Sequence, residues 1–220
     1  MKTPIEYIKE AWGIYTKKEN FIFFARIMAV LVILSTTIGF VTGYFFPDDY
    51  LKNIDFSNTP MLIGFIVISL IVIIINLWTQ TTTYFVVLRM ESSEKDIFKI
   101  SLKMMGKFLL ISLALGLIFL AGLILLIIPA IIFGVWYSLS TFLVLDKGMG
   151  IREALKSSKL MVKDKFWKVL GRITVFGLFT FVISLVLTVI PYAGSMTVSF
   201  IAPLFLLPFY LLYKDLLLEK

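Results

Sequence analysis

Between Phe108 and Leu145 the chain carries no charged residue. As one helix, this stretch of about 38 residues would be about 57 Å long at 1.5 Å per residue. That is nearly twice the ~30 Å of hydrocarbon in a bilayer, so the stretch has to fold back. Pro129 stands near its middle, and proline interrupts the helical hydrogen-bond ladder. The spacing predicts a hairpin of two spans, 108–128 and 130–146, the second one short.

The other apolar runs fit the same scheme. Phe21 to Phe46 makes a first span and is followed by the turn Pro47-Asp48-Asp49-Tyr50. A second span covers 60–88. The stretch Thr79-Gln80-Thr81-Thr82-Thr83 toward its end is polar, which predicts a helix running past the lipid. Trp167 to Tyr213 again exceeds one span, and Pro191-Tyr192-Ala193-Gly194-Ser195 supplies turn residues, giving spans at 167–190 and 195–213. The composition agrees: 60% of residues are hydrophobic and 16% charged, against about 25% charged in soluble domains. The expectation is an all-α, polytopic integral membrane helical bundle. It forms one domain over 1–220, with six transmembrane helices in three hairpins.

Charge placement tests this independently. Of the 21 Lys and Arg, only Lys52 falls on the far side of such a bundle, among Asp48, Asp49 and Asp55. The rest gather before the first span, after the second and fourth, and at the C-terminal end. The positive-inside rule then predicts that both termini are cytoplasmic. The first ~20 residues are amphipathic and lack the short apolar core and cleavage site of a signal peptide. The net charge of +7 is explained by this bias, without nucleic acid as a partner.

Each hairpin is preceded by a basic amphipathic segment. The first, 3–18, opens with Thr3-Pro4-Ile5-Glu6, the pattern of a capping box with proline at the first helical position. Ile5, Ile8, Trp12 and Tyr15 share one face. The second opens near Ser93, with Ile97, Ile100, Met104 and Phe108 on one face and Lys95, Lys99, Lys103 and Lys107 on another. The third sets Ile151, Leu155, Ser158, Met161 and Val162 against Arg152, Lys156, Lys159 and Lys163. Such patterns suit helices lying among lipid headgroups. The first and third align without a gap, pairing Ile5 with Ile151, Lys17 with Lys163, and Arg26-Ile27 with Arg172-Ile173. A threefold repeat, or the common character of juxtamembrane segments, accounts for this.

The stretch Asp146, Gly150-Ile151-Arg152-Glu153-Ala154-Leu155-Lys156-Ser157-Ser158 and Lys165-Phe166-Trp167-Lys168-Val169-Leu170-Gly171 resembles the membrane domain found beside some bacterial glycerophosphoryl diester phosphodiesterases, and its stand-alone six-span relatives. The likeness is most specific over 129–175. It implies a prokaryotic plasma-membrane protein. It does not imply phosphodiesterase activity, which belongs to a separate soluble domain.

The chain has no His and no Cys. His-dependent triads, Cys nucleophiles and His/Cys zinc sites are therefore excluded. All carboxylates lie in loops, amphipathic segments or the tail, so no acid/base pair is placed within the membrane. The expectation is a non-enzymatic protein without cofactor or metal. Its role would be lipid-interacting, membrane-homeostatic or in assembly, with the bilayer and anionic lipid as partners; a protein partner or oligomer stays open. The alternative is a small-molecule or lipid transporter, a flippase among them.

Its candidates are Asn76, Gln80 and Thr83, which fall on one face of the second span. They either line a polar path or make interhelical hydrogen bonds. Arg26, Arg152, Lys156, Lys163 and Arg172 are candidate lipid-phosphate contacts; for Arg26 and Arg172, snorkelling to the interface is the other reading. Small-residue stripes at Ser35/Gly39/Gly43, Ser112/Gly116 and Thr180/Ser184/Thr188 allow close helix approach. Trp136-Tyr137 is expected inside the bundle, and Pro203 and Pro208 are expected to kink the last helix.

Overall fold

The computed structural model describes residues 1–45, 59–189 and 194–219. The turn at Pro47–Tyr50, Lys52, Asp55 and the turn residues Pro191–Ala193 lie outside the described residues. The described chain is helical, in ten elements: α1 (Pro4–Thr16), α2 (Lys18–Phe45), α3 (Thr59–Leu88), α4 (Glu94–Leu125), α5 (Ile127–Tyr137), α6 (Ser140–Lys147), α7 (Ile151–Lys163), α8 (Phe166–Thr188), α9 (Gly194–Phe200) and α10 (Ala202–Leu218). Six stretches are long and apolar enough to cross a membrane: α2, α3, α4, α5 with α6, α8, and α9 with α10. The chain is thus an all-α, multi-pass membrane protein.

The termini meet. The Met1 ammonium pairs with Glu219 at 2.7 Å, and Lys165 pairs with the same carboxylate. Arg26 reaches Glu94 at 3.4 Å, and Lys107 donates to the Gly148 carbonyl at 3.1 Å. These contacts join α1, the starts of α2, α4 and α8, the α6–α7 corner and the end of α10. The basic residues they involve therefore gather at one end of the bundle, as the even span number requires. The buried core sits at this basic end too, with Tyr7, Phe24, Phe85, Ile97, Leu143 and Tyr213 almost wholly enclosed. Away from it, α3 between Leu62 and Ile75 buries no side chain.

The first hairpin helix starts as its sequence predicts. Thr3 accepts from the Glu6 backbone N–H, and the Glu6 carboxylate accepts from the Thr3 N–H in return, with Pro4 at the first position. Two faces of α1 are apolar. Tyr7, Ala11 and Tyr15 pack inward, with the Tyr7 ring edge-on to Phe176. Ile5 and Trp12, from the face chosen by periodicity, point outward.

The central hairpin turns at Leu126, three residues before Pro129. Pro129 falls in the first turn of α5, where its missing N–H has no intrahelical partner to lose. The reversal depends on two other positions. Leu126 adopts φ 138° and ψ 162°, a region close to glycine-only. Gly122 lies against Ala130, and a Cβ on it would fall 2.7 Å from the Ala130 Cα.

Four further differences from the sequence reading follow. The second amphipathic segment is not a separate helix: α4 runs from Glu94 to Leu125 unbroken, because no proline or glycine turn separates Lys107 from Phe108. The fourth span breaks at Ser138 and Leu139. Ser158 of α7 bridges the break, donating to the Trp136 carbonyl at 2.7 Å and accepting from the Leu139 N–H at 3.3 Å. Its hydroxyl supplies the partners that the interrupted ladder lacks. The apolar face of α7, with Ala154, Met161 and Val162, is accordingly buried against the chain rather than left for lipid. In the last span the break is at Ile201, and Pro203 opens α10 while Pro208 lies inside it.

Candidate functional site: a lateral groove between α3, α8 and α10

A groove of about 660 Å³ opens on the flank of the bundle. From α3 it is lined by Gln80, Thr83 and Tyr84, from α8 by Gly177, Thr180, Phe181 and Ser184, and from α10 by Ala202, Phe205, Leu206 and Phe209. Gly177 leaves open space where a side chain would stand. The aromatic walls come from residues at helical spacing, Phe205 and Phe209 on α10 and Phe181 on α8. Depth follows from helix rise: Gln80 stands about 12 Å from the end of α3, and Thr180 about 21 Å from the start of α8. Both stand inside apolar stretches long enough to cross a membrane.

Gln80 and Thr83 from one predicted polar face, and Thr180 and Ser184 from a predicted packing stripe, thus meet in one site. Their hydrogen bonding differs, and outside the groove the buried hydroxyls of Thr79 and Ser140 are also unpaired among the described residues. Thr37, Thr42, Thr81, Thr82 and Thr83 each donate to the carbonyl four residues back in their own helix. Gln80, Thr180 and Ser184 make no hydrogen bond among the described residues. In hydrocarbon an unpaired polar group costs free energy, so these three favour an occupant with its own polar atoms.

Asn76 is not in the groove. It is exposed and donates to its own helix, to the Val72 carbonyl at 2.9 Å. The interhelical polar contact of this span lies elsewhere. Trp78 Nε1 donates to Ser101 Oγ at 3.0 Å, Thr82 Oγ1 lies 2.9 Å from the same oxygen, and Ser101 bonds the Phe98 carbonyl. Ser101 is fully buried. Its signal was a lone small polar residue on the apolar side of a lysine-rich helix.

The cationic candidates do not converge. Arg172 is occupied by the N-terminal segment: Nε donates to the Lys2 carbonyl at 2.9 Å, Nη1 to Lys168 at 2.7 Å, and Nη2 to Lys2 again. Arg26 is mostly exposed beside Glu94. Arg152, Lys156 and Lys163 are exposed on α7, the outer side of a helix whose inner side packs. Trp136 lies under Lys159, whose ammonium is 4.1 Å from the ring centroid, a cation–π contact at the α5–α7 junction.

At the joined termini the electrostatics are ordered. Hydrogen bonds from Lys165 and from the Met1 ammonium hold the Glu219 carboxyl down to about 2. Burial, with a hydrogen bond to Asp215 at 2.6 Å, raises the Tyr7 hydroxyl well above its usual range. No group of three or more carboxylates among the described residues is arranged to hold a metal ion. Comparison with known proteins finds no matching family model, no matching curated protein and no matching solved structure.

Proposed function

We propose that this is a non-enzymatic, lipid-handling protein of the prokaryotic plasma membrane, with both termini cytoplasmic, whose lateral groove holds the acyl chain of a membrane lipid. One observation carries the reading: Gln80, Thr180 and Ser184 stand without hydrogen-bond partners among the described residues, along an otherwise apolar groove. An acyl chain fills the aromatic-walled part, and ester or hydroxyl oxygens of the same molecule satisfy the amide and hydroxyl groups. The likeness of 129–175 to the phosphodiesterase-associated membrane domain supports the prokaryotic setting, and the gathering of basic residues at one end supports the orientation.

The test is lipid retention. Gly177→Leu with Ala202→Leu fills the groove from two walls. Native mass spectrometry of the protein extracted in mild detergent should show co-purified phospholipid on the wild type and its loss in the filled variant. Equal retention by both removes the groove as a lipid site. The polar row also favours a second reading, that the groove passes a lipid from leaflet to leaflet. A fluorescent-lipid translocation assay in proteoliposomes separates the two: holding alone gives no transfer above protein-free vesicles.

A further inference from the structure

A second cavity, of about 310 Å³, lies at the basic end where α3 turns into α4. Its cationic wall is Arg89, Lys99 and Lys103, and its apolar wall Ile97 and Ile100; Ser92 and Asp96 complete it. Arg89 is the first residue after α3, and Lys99 and Lys103 stand four apart on α4, so the helical repeat puts both ammoniums on one face. The turn holds them in register. Ser92 N–H donates to the Arg89 carbonyl at 3.0 Å, and Ser93 caps α4 by accepting from the Asp96 N–H.

This cavity gathers three cations that make no ion pair among the described residues, where others of that kind, Lys9, Lys18 and Lys168 among them, stand on separate helices. Lys2, Arg26, Lys147 and Lys165 each face a carboxylate within ion-pair distance. Arg89, Lys99 and Lys103 face none among the described residues. The one carboxylate present, Asp96, accepts a hydrogen bond from the Ser93 hydroxyl at 2.6 Å. Three cations and one engaged anion leave the cavity with an excess of two positive charges, on a floor where Ile97 is fully buried. Arg89, Lys99 and Lys103 are exposed, so water and salt screen their mutual repulsion, while an anion entering among them is attracted by all three.

We infer that this corner cavity binds the phosphate of an anionic phospholipid headgroup. Arg89 offers a planar fork matched to phosphate oxygens, Lys99 and Lys103 offer point charges, and the Ser92 hydroxyl offers a further donor. The position suits a headgroup: Arg89 follows directly on Leu88, the last residue of an apolar span. The cavity lies on the α4 side of α3, and its lining shares no residue with that of the groove, so the inference stands whether or not the groove holds lipid.

The full-length protein in non-ionic detergent is titrated with dioctanoyl phosphatidylglycerol, dioctanoyl phosphatidylcholine and inorganic phosphate, and binding is read by native mass spectrometry at low salt. A basic residue beside an anionic headgroup is worth about fivefold in affinity. Screening lowers the sum for three, and the expected preference for phosphatidylglycerol over phosphatidylcholine is about tenfold or more. The variant R89Q/K99Q/K103Q should lose that preference, while K9Q/K18Q/K168Q, which removes equal charge elsewhere, should keep it. Gly177→Leu with Ala202→Leu should also keep it, which separates this site from the groove. Equal binding of the two lipids by wild type overturns the inference, as does a preference that survives in R89Q/K99Q/K103Q. Inorganic phosphate binding as tightly as phosphatidylglycerol overturns the lipid assignment. Weaker binding by inorganic phosphate supports it.

Discussion

Replacing Gly122 by alanine tests the central hairpin with the smallest possible change. The added Cβ would stand 2.7 Å from the Ala130 Cα, 2.9 Å from its N and 3.2 Å from its Cβ. The first two are backbone atoms and cannot rotate away, so α4 and α5 must separate. Overpacking of this kind costs about 1–3 kcal/mol, against which the better helix propensity of alanine returns at most about 1 kcal/mol. Gly122→Ala should therefore lower stability by about 1–2 kcal/mol. Gly116→Ala, on the same helix with open space around it, should be neutral or slightly stabilising. Thermal unfolding of both variants in the same detergent, followed by tryptophan fluorescence, makes the comparison. A companion change, Leu126→Gly, should raise stability, since φ 138° strains any residue with a side chain. Gly122→Ala as stable as Gly116→Ala would show that the hairpin does not close at this point, and the account of the turn would fail.

Ser101→Ala deprives the Trp78 indole of its acceptor inside the α3–α4 contact, and should cost about 1–3 kcal/mol, the range for a buried donor left unpaired, in the same unfolding assay. The Glu219 carboxyl titrates at about 2 in the folded chain, below its ordinary 4.5. Its contribution to docking the N-terminus is therefore complete above about pH 4.5 and is lost as pH falls through about 2. A spin-label pair at Lys9→Cys and Lys214→Cys, clean because the chain has no cysteine, should report a fixed distance down to about pH 4.5 and a broadening below it; Glu219→Gln should show the broad distribution at every pH. Topology reporters fused within 91–107 and 147–165 should both read cytoplasmic, and an external reading at either would overturn the six-span arrangement with cytoplasmic termini.

The spans were legible because hydrocarbon thickness fixes the length of any apolar helix, and the gathering of the termini followed from an even number of them. The hairpin was legible but its turn was not. Proline marks a break only when its N–H would have been used, and in the first turn of α5 that of Pro129 would not; the close approach of Gly122 to Ala130 depends on the partner helix, which periodicity does not reveal. The same limit applies to the sites. Gln80 and Thr83 were visible as one stripe and Thr180 and Ser184 as another, but only the packing of α3 against α8 and α10 brings them to one groove. Lys99 and Lys103 were visible as a basic face, whereas Arg89 joined them through a turn geometry that composition does not encode. Arg172 read as a lipid-phosphate contact or a snorkelling cation; besides the Lys168 carbonyl of its own helix it bonds the Lys2 carbonyl at the far end of the sequence, a contact that no local pattern announces.

The most direct test of the lipid-handling reading is a cryo-electron-microscopy structure of the wild-type protein in a lipid nanodisc, refined far enough to resolve ordered lipid. The account predicts continuous acyl-chain density between α3, α8 and α10, against Phe181, Phe205 and Phe209, with polar atoms within hydrogen-bond distance of Gln80, Thr180 or Ser184. A groove closed by direct packing of α8 and α10 onto α3, with those three side chains bonded to one another or to their own helices, would contradict it.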